Sequence, residues 1–144
     1  MKKKITIAID AMGGDNAPKK NIEGLSIFLN KNKSINDCFF YLYGNKDILE
    51  KEILKYNFSK DVLKIIHTEN VVSDEETPLT AIKNSKNSSM WNAVKAQIDN
   101  NADISLSAGN TGVLLVISRM ILKTIKEVSK PALAGLWPSK KGMS

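Results

Sequence analysis

The turn Asp10–Pro18 (DAMGGDNAP) sets two carboxylates, Asp10 and Asp15, on either side of the pair Gly13 and Gly14. Glycines admit backbone dihedrals closed to other residues and let the chain approach a ligand closely. Such a set can hold a ligand, hold a metal, or only order its own loop, with Asp15 capping the next helix. A second turn, Ser107–Gly112 (SAGNTG), is built of small residues ahead of an apolar run. Asn110, Thr111 and Gly112 fall where the first N–H groups of the following helix lack an intrahelical acceptor, which is the physics of an anion cradle. The turn has neither the Gly-Lys-Ser/Thr of a P-loop nor a GxGxxG dinucleotide fingerprint. A strand-to-helix turn merely capped by Asn110 or Thr111 reads equally well. In a third segment, Ala81–Met90 (AIKNSKNSSM), Lys83 and Lys86 stand three apart, with Ser88 and Ser89 following. Two ammonium groups on one helical face with two hydroxyls could meet a dianion, or the face could simply be solvated.

Some chemistry is excluded. His67 is the only histidine and Cys38 the only cysteine. A Ser-His-Asp triad needing a second histidine is ruled out, no zinc cluster or other metal site is expected, and no internal disulfide can form. Between Asp37 and the aromatic pair Phe39 and Phe40, Cys38 reads as a small buried hydrophobe. The net charge of +6, with Arg119 the only arginine, attracts anions in general: phosphate, an acidic carrier protein, nucleic acid or a membrane surface. The lysines are scattered among acids without interleaved aromatics, so no nucleic-acid partner is expected. The longest apolar run, Val113–Ile117, is far below the roughly 20 residues of a membrane span. The start has no signal-peptide pattern, and a cytoplasmic location is expected.

These turns must be positioned by the elements around them. Lys4–Asp10 reads as a buried strand, and Lys19–Asn32 as an amphipathic helix carrying Ile22, Leu25, Phe28 and Leu29. Strand Phe39–Tyr43, helix Asp47–Tyr56 with Ile48, Leu49, Ile53 and Leu54 inward, and strand Val62–His67 continue the alternation. A loop over Glu69–Leu79 leads into a short helix near Ala81. Then come helix Ser88–Asn100 with Met90, Val94, Ala96 and Ile98 at helical intervals, strand Asp103–Ser107, helix Thr111–Ile125 and a fifth strand over Ala132–Leu136. Alternation of this kind predicts right-handed βαβ units, hence an α/β fold with a mainly parallel sheet in a three-layer α/β/α arrangement. At 144 residues one domain suffices. The segment to Ser144 looks like a turn toward another element, so residues 1–144 are expected to be the N-terminal portion of a single α/β domain, truncated at its C-terminal end.

Together the three turns resemble the PlsX family of acyl-carrier-protein phosphate acyltransferases. The family's Asp-x-Met-Gly-Gly-Asp-x-x-Pro turn is matched by Asp10, Met12, Gly13, Gly14, Asp15 and Pro18. Its AI-basic-rich stretch closing in SSM is matched by Ala81, Ile82 and Ser88–Met90, its SAGNTG turn by Ser107–Gly112, and its next strand by Lys130–Leu133, Leu136 and Pro138. Lys83 stands where the family has arginine, which keeps the charge and loses the bidentate fork. The resemblance implies an isopropylmalate-dehydrogenase/phosphotransacetylase-like fold, incomplete at this length, and a homodimer. It further implies transfer of a fatty acyl group from acyl carrier protein to inorganic phosphate, yielding acyl phosphate for phospholipid synthesis without a cofactor. Peripheral membrane contact would belong to the full-length family. If its second pKa resembles the roughly 6 of phosphoesters, phosphate is largely a ready nucleophile near pH 7, and a thiol leaving group with a pKa near the roughly 8.5 of cysteine needs little protonation. Orientation and charge neutralisation would then supply most of the acceleration. In this reading Asn110 and Lys83 are catalytic. Ser107, Gly109, Asn110, Thr111, Gly112, Lys86, Ser88 and Ser89 bind phosphate, and Asp10, Gly13, Gly14 and Asp15 order the facing loop. Two alternatives stand beside it. One is a phosphotransacetylase- or dehydrogenase-like enzyme, against which the missing GxGxxG turn speaks. The other is a remnant that folds or binds phosphate without turnover.

Overall fold

The computed structural model describes residues 4–31, 37–59, 61–73, 75–99, 101–135, 138–139 and 142–143. Its strands β1 (Ile5–Asp10), β2 (Cys38–Gly44), β3 (Leu63–His67) and β4 (Ile104–Ser107) form one sheet in the order β3-β2-β1-β4. All three pairings are parallel, and Asp10 is flanked by Tyr43 on β2 and Ser107 on β4. The helices are α1 (Lys19–Lys31), α2 (Lys46–Ile53), α3 (Pro78–Asn84), α4 (Ser89–Ile98) and α5 (Thr111–Leu122).

Strand side chains alternate between faces, and the two faces of β1 find different partners. Ile9 packs with Ile22 and Leu25 of α1, Leu49 of α2, and Phe40 and Leu42 of β2. Ala8, pointing the other way, packs with Tyr43 and with Ala93 and Ala96 of α4; three alanines let that helix lie close to the sheet. Helices therefore cover both faces, the mainly parallel α/β arrangement expected. A further cluster, Val72, Met90, Val94, Val113, Ile117 and Ile121, joins α4 to α5.

This layering follows from the path of the chain. From β1 through β2 to β3 it steps in one direction, with α1 and α2 on one face. It then returns past β1 to place β4 on the far side. Right-handed crossovers put the helices of a reversed step on the opposite face, where α4 lies. The reversal makes the gap between β1 and β4 a topological switch point, the usual ligand crevice of open α/β sheets.

Three helices begin on capping side chains: Asn45 accepts from Ile48 N at 3.2 Å, Ser88 from Trp91 N at 3.1 Å, and Asn110 from Val113 N at 3.1 Å. Some expected inward residues face solvent instead. Leu54 is 83% exposed because α2 ends at Ile53, leaving it past the last turn. Ile48 and Ile98 are also exposed, where each helix face turns off the sheet. The fifth strand expected over Ala132–Leu136 does not form: residues 132–135 have no regular structure, and Leu136 lies outside the described residues, as do Asn32 and Asn100. Pro131 removes a backbone donor, and the largely exposed segment pairs with no strand among the described residues. Pro138–Ser139 (β5) and Gly142–Met143 (β6) pair antiparallel, apart from the main sheet. Among the described residues β4 is an edge strand, with Ile104 and Leu106 exposed.

Candidate functional site

The two glycine-bearing turns leave the carboxyl ends of β1 and β4 and meet over the switch point. Asp10, the last residue of β1, is 1% exposed. Its Oδ2 accepts from the Ser107 hydroxyl at 2.7 Å, and the same hydroxyl oxygen accepts from Gly109 N at 3.1 Å. Asp10 Oδ1 is buried with no hydrogen-bond partner among the described residues. Tyr43, beside Asp10 on β2, is also buried. Burial pushes its phenol above the usual tyrosine range, with Tyr41 and Asp99 adding to the rise.

Glycine is required where the turns touch. A Cβ on Gly13 would run into the Asp10 carboxylate and stand 3.1 Å from Gly109 N. Gly14 has φ of +93°, and a Cβ there would lie 2.7 Å from Ala108 O. Asn21 of α1 braces the first turn, its amide donating to Ala11 O and Gly13 O, both at 3.0 Å. A Cβ on Gly109 would lie 3.0 Å from Met90 Cε, which floors the second turn.

The result is an open cleft of about 360 Å³ lined by Gly14, Asp15, Ala108, Gly109, Asn110, Thr111 and Gly112. The Asn110 side chain is engaged at both ends: Oδ1 caps Val113 N, and Nδ2 donates to Glu76 O at 3.0 Å. With Val113 N capped and Leu114 N donating to Asn110 O at 2.9 Å, the first two N–H groups of α5, on Thr111 and Gly112, have no intrahelical acceptor. They supply donors at the positive end of a twelve-residue helix, the arrangement that suits an anion.

The expected residues thus separate. Gly14, Asp15, Gly109, Asn110, Thr111 and Gly112 line one cleft, and Asp10, Gly13 and Ser107 form its support. Ser88 and Ser89 are fully buried at the start of α4, Ser88 being occupied as its cap, and neither lines the cleft. Lys83 and Lys86 are exposed and also outside the lining. The start of α3 does abut the site, since a Cβ on Gly112 would lie 3.4 Å from Pro78 Cγ. Lys83 is roughly 7–8 Å further along that helix at 1.5 Å per residue. No group of three or more histidine, cysteine or acidic residues suited to a metal occurs among the described residues. Sequence reading missed Asn21, Met90 and the Glu76 carbonyl. Asn21 had a faint signal, a polar residue beside Ile22 on the inward face of an otherwise amphipathic helix.

A family model described as fatty acid synthesis protein matches residues 5–144. A phosphate acyltransferase of Pelagibacter ubique (strain HTCC1062) is 45% identical over 144 residues, covering 100% of this chain and 42% of that protein. Phosphate acyltransferases of Rhodopseudomonas palustris (strain BisB5) and Caulobacter vibrioides (strain ATCC 19089 / CIP 103742 / CB 15) are 37% and 36% identical, each over 100% of this chain and over 40% and 39% of their own lengths. The chain therefore spans about two fifths of the length of the curated relatives it matches.

Proposed function

The chain belongs to the PlsX family of fatty acid synthesis proteins, and on that premise we propose that it carries the phosphate-binding part of an enzyme moving a fatty acyl group from acyl carrier protein to inorganic phosphate. The observation that supports this most directly is the meeting of the turns at Asp10–Pro18 and Ser107–Gly112 over the switch point, with the N–H groups of Thr111 and Gly112 beside an open cleft. Phosphate, an anion at neutral pH, is held there by backbone donors. Lys83 and Lys86 supply mobile positive charge from α3 and the turn after it, and Asn110 acts by fixing the helix start.

Asp10 does not touch the anion in this reading. It holds Ser107, which holds Gly109 N, so the second turn keeps the same shape with or without phosphate. Phosphate oxygen attacks the thioester carbonyl, the C–S bond breaks, and the carrier thiolate leaves; the phosphate enters largely ionised, so no histidine base is needed. Such preorganisation of donors is the main source of acceleration when the reactants bring their own nucleophile and leaving group. Homodimer formation and peripheral membrane contact are part of the same proposal for the whole-length protein.

Two measurements test it. Phosphate titrated into the labelled chain should shift the amide resonances of Gly109, Thr111 and Gly112 saturably. Incubation of the chain with acyl-acyl carrier protein and phosphate, trapped with hydroxylamine, should give phosphate-dependent acyl hydroxamate if these residues suffice for turnover. Absence of any shift in the Ser107–Gly112 turn at high phosphate would refute the site.

A further inference from the structure

A second cleft opens at the carboxyl end of β3, away from the glycine turns. It measures about 320 Å³ and is lined by His67, Thr68, Glu69, Asn70, Asn87 and Asn92. Several of these groups are fixed. Lys46 N donates to His67 Nδ1 at 3.2 Å, so the neutral ring carries its proton on Nε2 and keeps a donor there. The Asn92 amide donates to Ser88 O at 3.0 Å, and the Asn70 amide to Lys86 O at 3.5 Å. Their side-chain carbonyls remain as acceptors.

Thr68 differs from the others. It is 5% exposed, its backbone N–H is bonded to Gly44 O at 2.9 Å, and its Oγ1 is buried with no partner among the described residues. A buried hydroxyl left without a partner is destabilising. Its place in the lining of a polar cleft gives it a use, as a donor and acceptor for something that enters.

The lining says what that is. It has no lysine or arginine and one carboxylate, Glu69, so it does not suit an anion. Three carboxamides, a hydroxyl and an imidazole N–H alternate donors with acceptors, the pattern that pairs with neutral amide groups. The cleft also shares a supporting helix with the first site. Both share the opening turns of α4, in which Met90 underlies Gly109 and Asn92 lines the second cleft. With neighbouring strands about 4.8 Å apart, β3 lies roughly 10 Å from β1 and 14 Å from β4.

We propose that this cleft binds the pantetheine arm of the carrier thioester, whose two amides meet Thr68, Asn70 and Asn92 while its sulfur end extends toward the Ser107–Gly112 turn. Extended, such an arm spans on the order of 15 Å by ordinary covalent dimensions, enough to join the two clefts. This rests on the acyl-transfer reading above, and its test separates the two. Pantetheine titrated into the labelled 144-residue chain should shift resonances of residues 67–70, 87 and 92 saturably. Thr68→Val should weaken that binding about fivefold, as loss of one hydrogen bond does, while leaving the unfolding midpoint unchanged or raised because the hydroxyl makes no bond in the free protein. Phosphate added to the same samples reports on Gly109–Gly112. Phosphate shifts without pantetheine shifts, or pantetheine binding equal in Thr68→Val and the unmodified chain, would overturn the arm site and leave the phosphate site standing. Pantetheine shifts lost in the variant, with no phosphate shifts, would support the arm site and sink the phosphate reading.

Discussion

The Ser107 hydroxyl donates to Asp10 Oδ2 at 2.7 Å, tying the end of β4 to the end of β1 across 97 positions of sequence. Because the same oxygen accepts from Gly109 N, one hydroxyl couples the sheet to the shape of the second turn. Ser107→Ala removes the hydrogen bond from a buried carboxylate whose other oxygen already has none among the described residues. The expected cost is about 2 kcal/mol in urea unfolding, within the range for leaving a buried polar group unpaired. Ser107→Thr, which keeps the hydroxyl, should recover most of it. Equal stability of the alanine and threonine variants would show that the bond contributes nothing.

Gly14 and Gly109 both stand where the turns touch, and they should respond differently to a methyl group. Gly14→Ala forces a side chain onto φ of +93° and against a backbone carbonyl 2.7 Å away, neither of which can relax cheaply. Backbone strain of this kind costs about 1–3 kcal/mol. Gly109→Ala meets Met90 Cε at 3.0 Å, the free end of a flexible side chain. Thermal unfolding should therefore rank Gly14→Ala as the less stable protein; the reverse order would mean that the turns are not packed as described.

Tyr43 predicts a response to alkali. Its folded-state pKa is raised above the ordinary 10.0 by burial first, then by Tyr41 and Asp99. The fold thus favours the neutral phenol. This contribution is fully present below the unfolded value of about 10 and is lost as pH rises through the folded value, because the unfolded chain releases its proton first. Unfolding followed between pH ~9 and ~12 should show stability falling more steeply for the natural chain than for Tyr43→Phe. Parallel curves would remove Tyr43 as a cause.

Much of this architecture was legible because it rests on local patterns. The β-branched run before Asp10, the stripe Ile22–Leu25 and the cap Asn110 each act over a few residues, and each element formed close to its expected place. The strand order was not written locally. It depends on where β4 docks, a contact with β1 made between segments far apart in the chain, with α4 packed on the sheet through Ala8, Ala93 and Ala96. For the cleft, sequence spacing pointed to two turns that the fold brings together and gave no account of what holds them. Ser107 on Asp10 and Asn21 on Gly13 O are contacts between segments whose letters carry no mutual signal. Ser88 and Ser89 looked like anion donors for the opposite reason, since a capping serine and a ligand serine read the same until burial is known.

The sharpest test of the cleft separates backbone donors from side chains at Thr111. Thr111 is the first residue of α5, a position where proline is tolerated because its N–H has no intrahelical acceptor. The preceding residue must then lie outside the helical region, and Asn110 already does, with φ of −54° and ψ of 112°. Thr111→Pro should therefore keep the helix and its cap while deleting one N–H from the cleft. Thr111→Ala deletes only the hydroxyl. If phosphate is held by the backbone, the proline variant should bind it about tenfold more weakly, as expected for a charge-assisted hydrogen bond contributing about 1.4 kcal/mol. The alanine variant should bind nearly as well as the natural chain, and both should unfold within about 0.5 kcal/mol of it, as substitutions compatible with the local backbone do. Equal losses in the two variants would transfer the role to the hydroxyl. Unchanged binding in the proline variant would take the Thr111 N–H out of the site and leave Gly112 as the only helix donor there.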